Sequence, residues 1–378
     1  MTGRGTAVIF GAGSIGRGFM GQILHEAGLE LVFVEANPAL VDELNRAGRY
    51  PLLLVGPTRH ERLEIDGVRA VSAMDVDAVA RELAHCEVAC SAVGVRILPR
   101  IAPAVALGAA LRRDEGDRPL NLILCENQLH SSRILRDAVM AQEHPPVLDH
   151  FGLVESVIGR MVPLPDPSRG GDPLEVRAED HMQLPLDAAA IRGELPVHPA
   201  FRPVSPFEPW VERKLFLTNM GHATAAYVGD LFGCNTIAEA MQVEAVASVV
   251  RTAMEAASAA LSMAHSFPLP ELLDETKDLL IRFANPGLED TVSRVGRDPG
   301  RKLGREDRLI GAALLCLKSG LNPAPVCVGI AAALRFETSG PKRPALEAFE
   351  ALAGYSAPAE LSEAILQADH VVDGLQPG

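Results

Sequence analysis

The first half of the chain alternates short apolar runs with segments of helical periodicity. The apolar runs, rich in strand-forming residues, cover residues 6–10, 31–35, 87–92 and 120–125. This alternation predicts βαβ units, and runs without interleaved polar positions are typical of parallel strands buried on both faces. The first half is therefore predicted to be an α/β domain built on a doubly wound sheet.

After about residue 200 the pattern changes to long segments rich in alanine and leucine. Residues 236–263 and 306–319 are examples, and almost no strand-like run occurs among them, which predicts a mainly α-helical second domain. Between the two patterns, prolines at positions 196, 199, 203, 206 and 209 exclude a regular helix and favour an extended connector. We predict two domains, residues 1–200 and 201–378.

A glycine-rich turn, FGAGSIGRG, follows the first predicted strand and opens a helical pattern. Its glycines have the GxGxxG spacing, in which the first makes a tight turn, the second admits a pyrophosphate and the third lets helix and strand pack. Backbone amides at the start of such a helix bind the anion. The pattern predicts a Rossmann-type N-terminal sheet, with cofactor contacts at Gly11, Ala12, Gly13, Ser14, Ile15 and Gly16.

The end of the second apolar run predicts which dinucleotide binds. Glu35 closes that run about 20 residues after the fingerprint, where an acidic side chain binds both ribose hydroxyls and repels a 2′-phosphate. The next two residues are not arginines, so NAD is favoured over NADP. Val93 and Gly94 follow a further predicted strand, at the sheet edge where ligands bind, and we expect them to contact the cofactor. The alternative for Gly94 is a simple turn glycine.

Composition disfavours several classes of partner. The 378 residues carry a formal net charge of −14, whereas nucleic acids and anionic membranes require a basic surface. No run is as long as a membrane span and no apolar region of a signal peptide is present, so we expect a cytoplasmic protein. The six cysteines form no CxxC pair and no HExxH occurs, so no metal site is predicted, although histidines or carboxylates from distant segments could still form one. An anionic substrate would need a local basic pocket.

Three polar side chains interrupt the otherwise apolar segment KLFLTNMGHATAAYVG, residues 214–229. Asn219 and His222 lie about 140° and about 80° around a helix from Lys214, so all three can face one cleft. A partly desolvated lysine could accept a hydroxyl proton during oxidation, while the amide donates to the developing alkoxide. His222 could bind the reacting hydroxyl or hold the lysine. The alternative is ordinary packing, because helix lysines often extend to water.

Several motifs together resemble the long-chain polyol dehydrogenases of the mannitol dehydrogenase family. They are FGAGSIGRGF, ILCENQ, DPLEV, WVERKLFLTNMGHATAAY and NPGLEDTVSRVGRDPGRKLGREDRLI, in order over nearly the whole chain. The resemblance implies a zinc-independent, NAD-dependent oxidation with Lys214 as general base. It implies catalytic roles for Asn219 and His222, and for Asn127 of CENQ as a second amide at the alkoxide, although Asn127 could instead cap a helix.

The segment RVGRDPGRKLGREDR, residues 294–308, would supply the local basic pocket. Arg294 and Lys302 match an arginine and a lysine, eight residues apart, that contact the polyol in the wider family. A guanidinium suits a phosphate monoester, so we expect substrate contacts here; the alternative is a solvated basic face.

In its compact length, the chain most resembles the bacterial members of the family that interconvert mannitol 1-phosphate and fructose 6-phosphate. In phosphate-specific members an arginine closely follows the Glu-Asn pair, whereas here ENQLHSSR reaches only Arg133. An unphosphorylated polyol or a hexuronate therefore remains an alternative substrate. A separate alternative is a catalytically silent NAD-binding protein, which would keep the glycine turn but not need Lys214. The resemblance implies a monomer that acts on a small molecule.

Overall fold

The computed structural model describes residues 5–57, 60–114, 116, 118–126, 128, 130–146, 148–163, 172–336 and 343–375. Contacts divide the chain into two compact units, Met1–Phe207 and Glu208–Gly378. We call them the N-terminal unit and the C-terminal unit, and each is described by itself.

A six-stranded parallel sheet forms the centre of the N-terminal unit. The strands of this unit are β1 Thr6–Phe10, β2 Glu30–Glu35, β3 Arg49–Val55, β4 His60–Asp66, β5 Val68–Ser72, β6 Val88–Ser91, β7 Leu120–Leu124, β8 Phe151–Glu155, β9 Val176–Ala178, β10 Leu184–Asp187 and β11 Phe201–Val204. The large sheet has the order β5-β2-β1-β6-β7-β8, and every pairing in it is parallel. The order reverses at β1, which confirms the predicted doubly wound, Rossmann-type sheet.

Both faces of the large sheet are covered. Along β1, Ala7 and Ile9 belong to one apolar core, whereas Val8 and Phe10 belong to the other. This alternation follows from the two-residue period of a strand, and it explains why residues 7–10 are all apolar. The helices of the unit are α1 Gly21–Glu26, α2 Pro38–Ala47, α3 Val76–His85, α4 Leu98–Asp114 and α5 Ser131–Met140.

Two smaller sheets complete the N-terminal unit. In one, β3 pairs antiparallel with β4 and parallel with β9. In the other, β10 and β11 pair in parallel. Neither small sheet was predicted from the sequence.

The described residues of the C-terminal unit form helices joined by turns and loops, with one isolated bridge between Thr236 and Thr291 and no strand. Its α-helices are α6 Glu208–Arg213, α7 Met220–Leu231, α8 Ile237–Gln242, α9 Glu244–His265, α10 Leu269–Phe283, α11 Val292–Gly296, α12 Pro299–Lys302, α13 Arg308–Lys318, α14 Ala324–Ala333, α15 Ala345–Ala353 and α16 Ala359–Gly374. The predicted helix over 236–263 is broken at Val243, whose backbone is extended (φ −81°, ψ 111°).

Helix α7 lies inside the C-terminal unit and packs against α9, α11 and α14. Contact between α7 and α14 is close because Gly329 lacks a side chain: a Cβ there would lie 2.5 Å from Oγ1 of Thr224. The start of α7, which carries His222, is thus fixed by packing against neighbouring helices.

Across the described ranges, no helix is both long and apolar enough to cross a membrane.

Candidate active site

The predicted cofactor turn follows β1, and two of its glycines are required by packing. Gly11 has φ +91°, and a Cβ on it would lie 2.8 Å from the carbonyl oxygen of Ala92. A Cβ on Gly16 would lie 1.9 Å from the carbonyl oxygen of Gly11, so no side chain fits where the turn closes. Residues Gly16–Met20 then form one π-helical turn before α1.

Gly13 differs from the other two glycines because it faces open space. A Cβ on Gly13 would meet no atom within 4 Å. The backbone at this point can therefore be approached closely, which is what a dinucleotide pyrophosphate requires. Beside it, Ala12 is buried, Ile15 packs on the core, and the Ser14 hydroxyl donates to the carbonyl of Pro163 at 3.3 Å.

The Glu35 carboxylate lies at the end of β2 and is bound to the glycine turn. Its Oε2 accepts the amide hydrogen of Ala12 at 3.0 Å. Its Oε1 accepts the amides of Ala36 and Asn37, both at 2.8 Å. A carboxylate has about four lone-pair positions, so acceptor capacity remains on Oε2 for a ribose hydroxyl. Together with the open approach at Gly13, this arrangement fits NAD.

Val93 and Gly94 follow β6 and are held by a carboxylate that the sequence analysis did not select. Glu126, just after β7, is only 5% exposed. Its Oε1 accepts the Ser91 hydroxyl at 3.0 Å and the Val93 amide at 3.3 Å, and the Gly94 amide also binds it. Burial raises the pKa of Glu126, while these donors oppose the rise. Glu126 therefore fixes the loop predicted to contact the cofactor.

Arg17, which follows the GxGxxG motif, binds backbone carbonyls of the protein through its side chain. Its side chain is buried, with Nε donating to the carbonyl of Ala12 at 2.6 Å and Nη1 donating to that of Leu174 at 2.7 Å. The carbonyl of Arg17 in turn accepts the Tyr50 hydroxyl at 2.7 Å. The guanidinium is therefore engaged by the protein backbone.

The predicted amide Asn127 lies outside the described residues, but the start of the following helix α5 is described. The Glu155 carboxylate, at the end of β8, accepts the amide of His130 at 3.2 Å. It also accepts the amide of Ser132 at 3.1 Å and the hydroxyl of Ser132 at 2.5 Å. The amides at this helix start are thus already bound to a protein carboxylate.

Lys214 begins a π-helical turn, Lys214–Asn219, between α6 and α7. The Met220 amide donates to the carbonyl of Leu215, five residues back. The angular positions predicted for a regular helix therefore do not apply, and such π-turns are frequent at functional sites. Burial, and secondarily the positive charge of Arg308, lower the pKa of Lys214 to about 8. A lysine with this pKa exists partly as the neutral amine near physiological pH.

Asn219 ends the same turn. Its Nδ2 is buried and has no hydrogen-bond partner in the described part of the chain. An unpaired buried amide is costly, on the order of 1–3 kcal/mol, unless a ligand supplies an acceptor. Asn219 is thus a donor suited to a substrate oxygen.

His222 and Arg294 are joined through one acid. Nε2 of His222 lies 3.1 Å from Oδ2 of Asp290. Oδ1 of the same carboxylate accepts Nε of Arg294 at 2.6 Å and Nη2 at 2.5 Å. The Phe283 ring stacks on the imidazole with a centroid distance of 5.0 Å and an interplanar angle of 8°.

Much of the positive charge between residues 294 and 308 is matched by acids. Arg301 contacts Asp298 and Asp307, Arg305 lies 3.9 Å from Glu360, and Arg308 contacts Asp307. Lys302 has no ion-pair partner among the described residues; it is 4% exposed and donates to the carbonyl of Arg297. Burial, and secondarily the positive charges of Arg308 and Arg301, lower the pKa of Lys302 to about 8.

The described ranges contain no group of three His, Cys, Asp or Glu side chains that could hold a metal ion.

Sequence reasoning assigned no specific role to three residues of this arrangement, Arg308, Asp290 and Glu126. The positive charge of Arg308 lowers the pKa of both Lys214 and Lys302. Two signals were available for the other two: Asp290 precedes Arg294 by four residues, and Glu126 adjoins Asn127. No local pattern links Arg308 to Lys214.

Two family models cover most of the chain. The model for the mannitol dehydrogenase Rossmann domain matches residues 5–198, and that for the mannitol dehydrogenase C-terminal domain matches residues 206–350. A curated protein of Brevibacillus brevis, mannitol-1-phosphate 5-dehydrogenase, is 39% identical over 335 residues, which is 88% of this chain and 86% of that protein.

Two solved structures share the fold at low sequence identity. The ternary complex of Pseudomonas fluorescens mannitol 2-dehydrogenase with NAD and D-mannitol is 17% identical, with a TM-score of 0.75 over 99% of this chain and 92% of that one. A D-sorbitol dehydrogenase in substrate-free form is 16% identical, with a TM-score of 0.77 over 99% and 95%. The predicted family, oxidoreductase class and NAD cofactor are thereby confirmed. The chain belongs to the mannitol dehydrogenase family of NAD-dependent oxidoreductases.

Proposed function

We propose that the chain interconverts mannitol 1-phosphate and fructose 6-phosphate with NAD and without a metal ion. The observation that carries the chemistry is one π-helical turn that contains Lys214, with a pKa of about 8, and Asn219, whose buried Nδ2 has no partner among the described residues. The turn thus combines a proton acceptor with an unused donor, which hydroxyl oxidation requires.

In oxidation, the neutral amine of Lys214 accepts the proton of the reacting hydroxyl. NAD, when bound, supplies the acceptor for the hydride that leaves the carbinol carbon. Nδ2 of Asn219 donates to the oxygen as negative charge develops on it, and we assign Asn127 the same role. His222 holds the amine of Lys214 in place for this transfer. In reduction, the ammonium of Lys214 returns the proton to the oxygen.

The phosphate of the substrate is assigned to the basic segment. Lys302 has no carboxylate partner in the described ranges, and Arg294 keeps Nη1 when Asp290 engages its other two nitrogens. The 39% identical relative is named for a phosphorylated substrate, which supports this assignment. An unphosphorylated polyol is the second candidate, because the amides at the start of α5 are occupied by Glu155.

A substrate panel tests the proposal. NADH oxidation is measured with fructose 6-phosphate, fructose and fructuronate at equal concentrations, with and without a chelator. We expect turnover of fructose 6-phosphate that the chelator does not reduce. Turnover of fructose but not of its phosphate would reject the phosphate assignment, and loss of activity on chelation would reject metal independence.

The role of Lys214 has a separate test. Lys214→Ala should lower kcat by a factor of about 100 to 10,000, because it removes the general base, while the dissociation constant for NADH stays near that of the wild type. Activity within a few-fold of the wild type would remove Lys214 from the mechanism. Wild-type protein that binds NADH but turns over none of the three sugars would instead favour an NAD-binding protein without catalysis.

A further inference from the structure

Asp290 contacts two residues of the candidate active site at once. One carboxylate oxygen is 3.1 Å from Nε2 of His222, and the other accepts two nitrogens of Arg294 at 2.6 and 2.5 Å. His222 comes from α7 and Arg294 from α11, so the acid links two helices. Asp290 itself is 8% exposed.

The backbone around Asp290 is fixed on both sides. Its carbonyl accepts the amide of Ile237 at 2.8 Å, and the amide of Val292 donates to the carbonyl of Asn235 at 2.9 Å. The hydroxyl of Thr291 caps α11 by accepting the amide of Arg294 at 3.2 Å. The carboxylate is therefore presented from a rigid turn.

The contacts of the carboxylate also define the state of the imidazole. Although burial alone would raise the pKa of Asp290, hydrogen bonds and charge from His222 and Arg294 bring it below its ordinary value, so the acid is ionised near neutral pH. An ionised carboxylate only accepts hydrogen bonds, so the nitrogen facing it, Nε2, must carry a hydrogen. In the neutral imidazole Nδ1 is then the acceptor.

We propose that Asp290 is a positioning residue that holds His222 in the Nε2–H tautomer and the Arg294 guanidinium in place, so that one acid orients both the imidazole that holds the Lys214 amine and a substrate-binding group. This proposal rests on the proposed function for the roles of His222 and Arg294. The placement of Asp290 and the tautomer of His222 are independent of that function and can be measured separately.

The kinetic test uses Asp290→Asn, which keeps the shape but removes the negative charge. We expect kcat/KM for fructose 6-phosphate to fall by about 10- to 100-fold, with both a lower kcat and a higher KM. In the Arg294→Ala background, Asp290→Asn should no longer raise KM, and in the His222→Ala background it should no longer lower kcat. Equal losses in these backgrounds, or wild-type kinetics of Asp290→Asn, would overturn the proposal.

Asp369→Asn is the matched control. Asp369 also pairs with an arginine of the same unit, Arg335, at 2.5 Å, but it is not part of the candidate site. The control should keep wild-type kinetics even if its thermal stability falls. A fall in kcat/KM equal to that of Asp290→Asn would show that loss of any such ion pair has the same effect, and would overturn the proposal.

The tautomer of His222 can be measured independently of enzymatic activity by ¹⁵N NMR of histidine-labelled protein. The His222 signals are assigned by comparison with His222→Gln. In the wild type at about pH 8 we expect Nε2 protonated and Nδ1 not, and in Asp290→Asn a shift toward the other tautomer. A wild-type Nδ1–H tautomer, or identical spectra in the two proteins, would overturn the proposal. If the wild type turns over no sugar yet shows the expected tautomer, the proposed function fails while the placement of Asp290 is retained.

Discussion

The hydroxyl of Ser91 donates to Oε1 of Glu126 at 3.0 Å, which joins the end of β6 to the residues just after β7. The same oxygen accepts the Val93 amide, so the loop predicted to contact NAD depends on a buried acid. Side chains that bind no cofactor can thus decide how well the cofactor binds.

Glu126→Ala should therefore weaken NADH binding by about tenfold, because it leaves the Val93 amide and the Ser91 hydroxyl without their acceptor. Glu126→Gln keeps an acceptor oxygen and should lose much less. Fluorescence titration with NADH measures both. Unchanged affinity of Glu126→Ala would mean that the loop keeps its shape without the acid.

Two glycines of the turn should respond differently to added side chains. Gly16→Ala should lower the free energy of unfolding by about 3 kcal/mol, since its Cβ would lie 1.9 Å from a backbone oxygen. Gly13→Val should keep the wild-type melting temperature but lose about 10- to 100-fold in NADH affinity, because the open approach is filled. Thermal melts and NADH titration of both variants test this, and the reverse pattern would contradict it.

Glu35 should set the preference for NADH over NADPH. Its charge repels a 2′-phosphate, so Glu35→Gln, which can still accept the Ala12 amide, should lower the ratio of kcat/KM values by about tenfold or more. Steady-state kinetics with the two cofactors give the ratio. Equal use of NADPH by the wild type would be incompatible with this role.

The pH dependence of oxidation should follow Lys214. Because the general base must be neutral, kcat/KM should rise with pH and level off above about 8, the pKa of Lys214. Removing the positive charge in Arg308→Met favours the protonated amine, so the pKa rises and the profile moves to higher pH. The exposed Arg305→Gln is the control and should leave the profile in place.

Lys302 needs separate treatment in that experiment, because Arg308 also lowers its pKa. The profiles are repeated in a Lys302→Met background. A shift caused by Arg308→Met that disappears in this background would assign the titration to Lys302 instead of Lys214.

Local pattern was sufficient for the strands of the large sheet that it identified. The run over 6–10 coincides with β1 Thr6–Phe10, and that over 31–35 with all but the first residue of β2 Glu30–Glu35. Such strands are buried on both faces, so continuous apolar character marks them. In β4, HERLEID, only Ile65 is buried, so the composition of this segment does not mark it as a strand. The segment is a strand because it pairs with β3.

The partners of the site residues were beyond local pattern. Asp290 contacts His222, which lies 68 residues earlier in the chain, through the packing of α7 and α11. Arg308 lowers the pKa of Lys214 although the two residues are distant in sequence. The π-helical turn at Lys214 was also not predictable from a periodicity that assumes 100° per residue. Residue types at the site could be chosen from the sequence, whereas their ionisation and pairing depend on tertiary contacts.

Arg17 limits how the cofactor turn can be engineered. Its guanidinium binds the turn at Ala12 and a carbonyl 157 residues away at Leu174, and its own carbonyl holds Tyr50. A transplant of residues 11–18 into another scaffold would leave these partners behind. A redesign of the cofactor preference of this chain should therefore keep the turn, Tyr50 and residues 172–174 together.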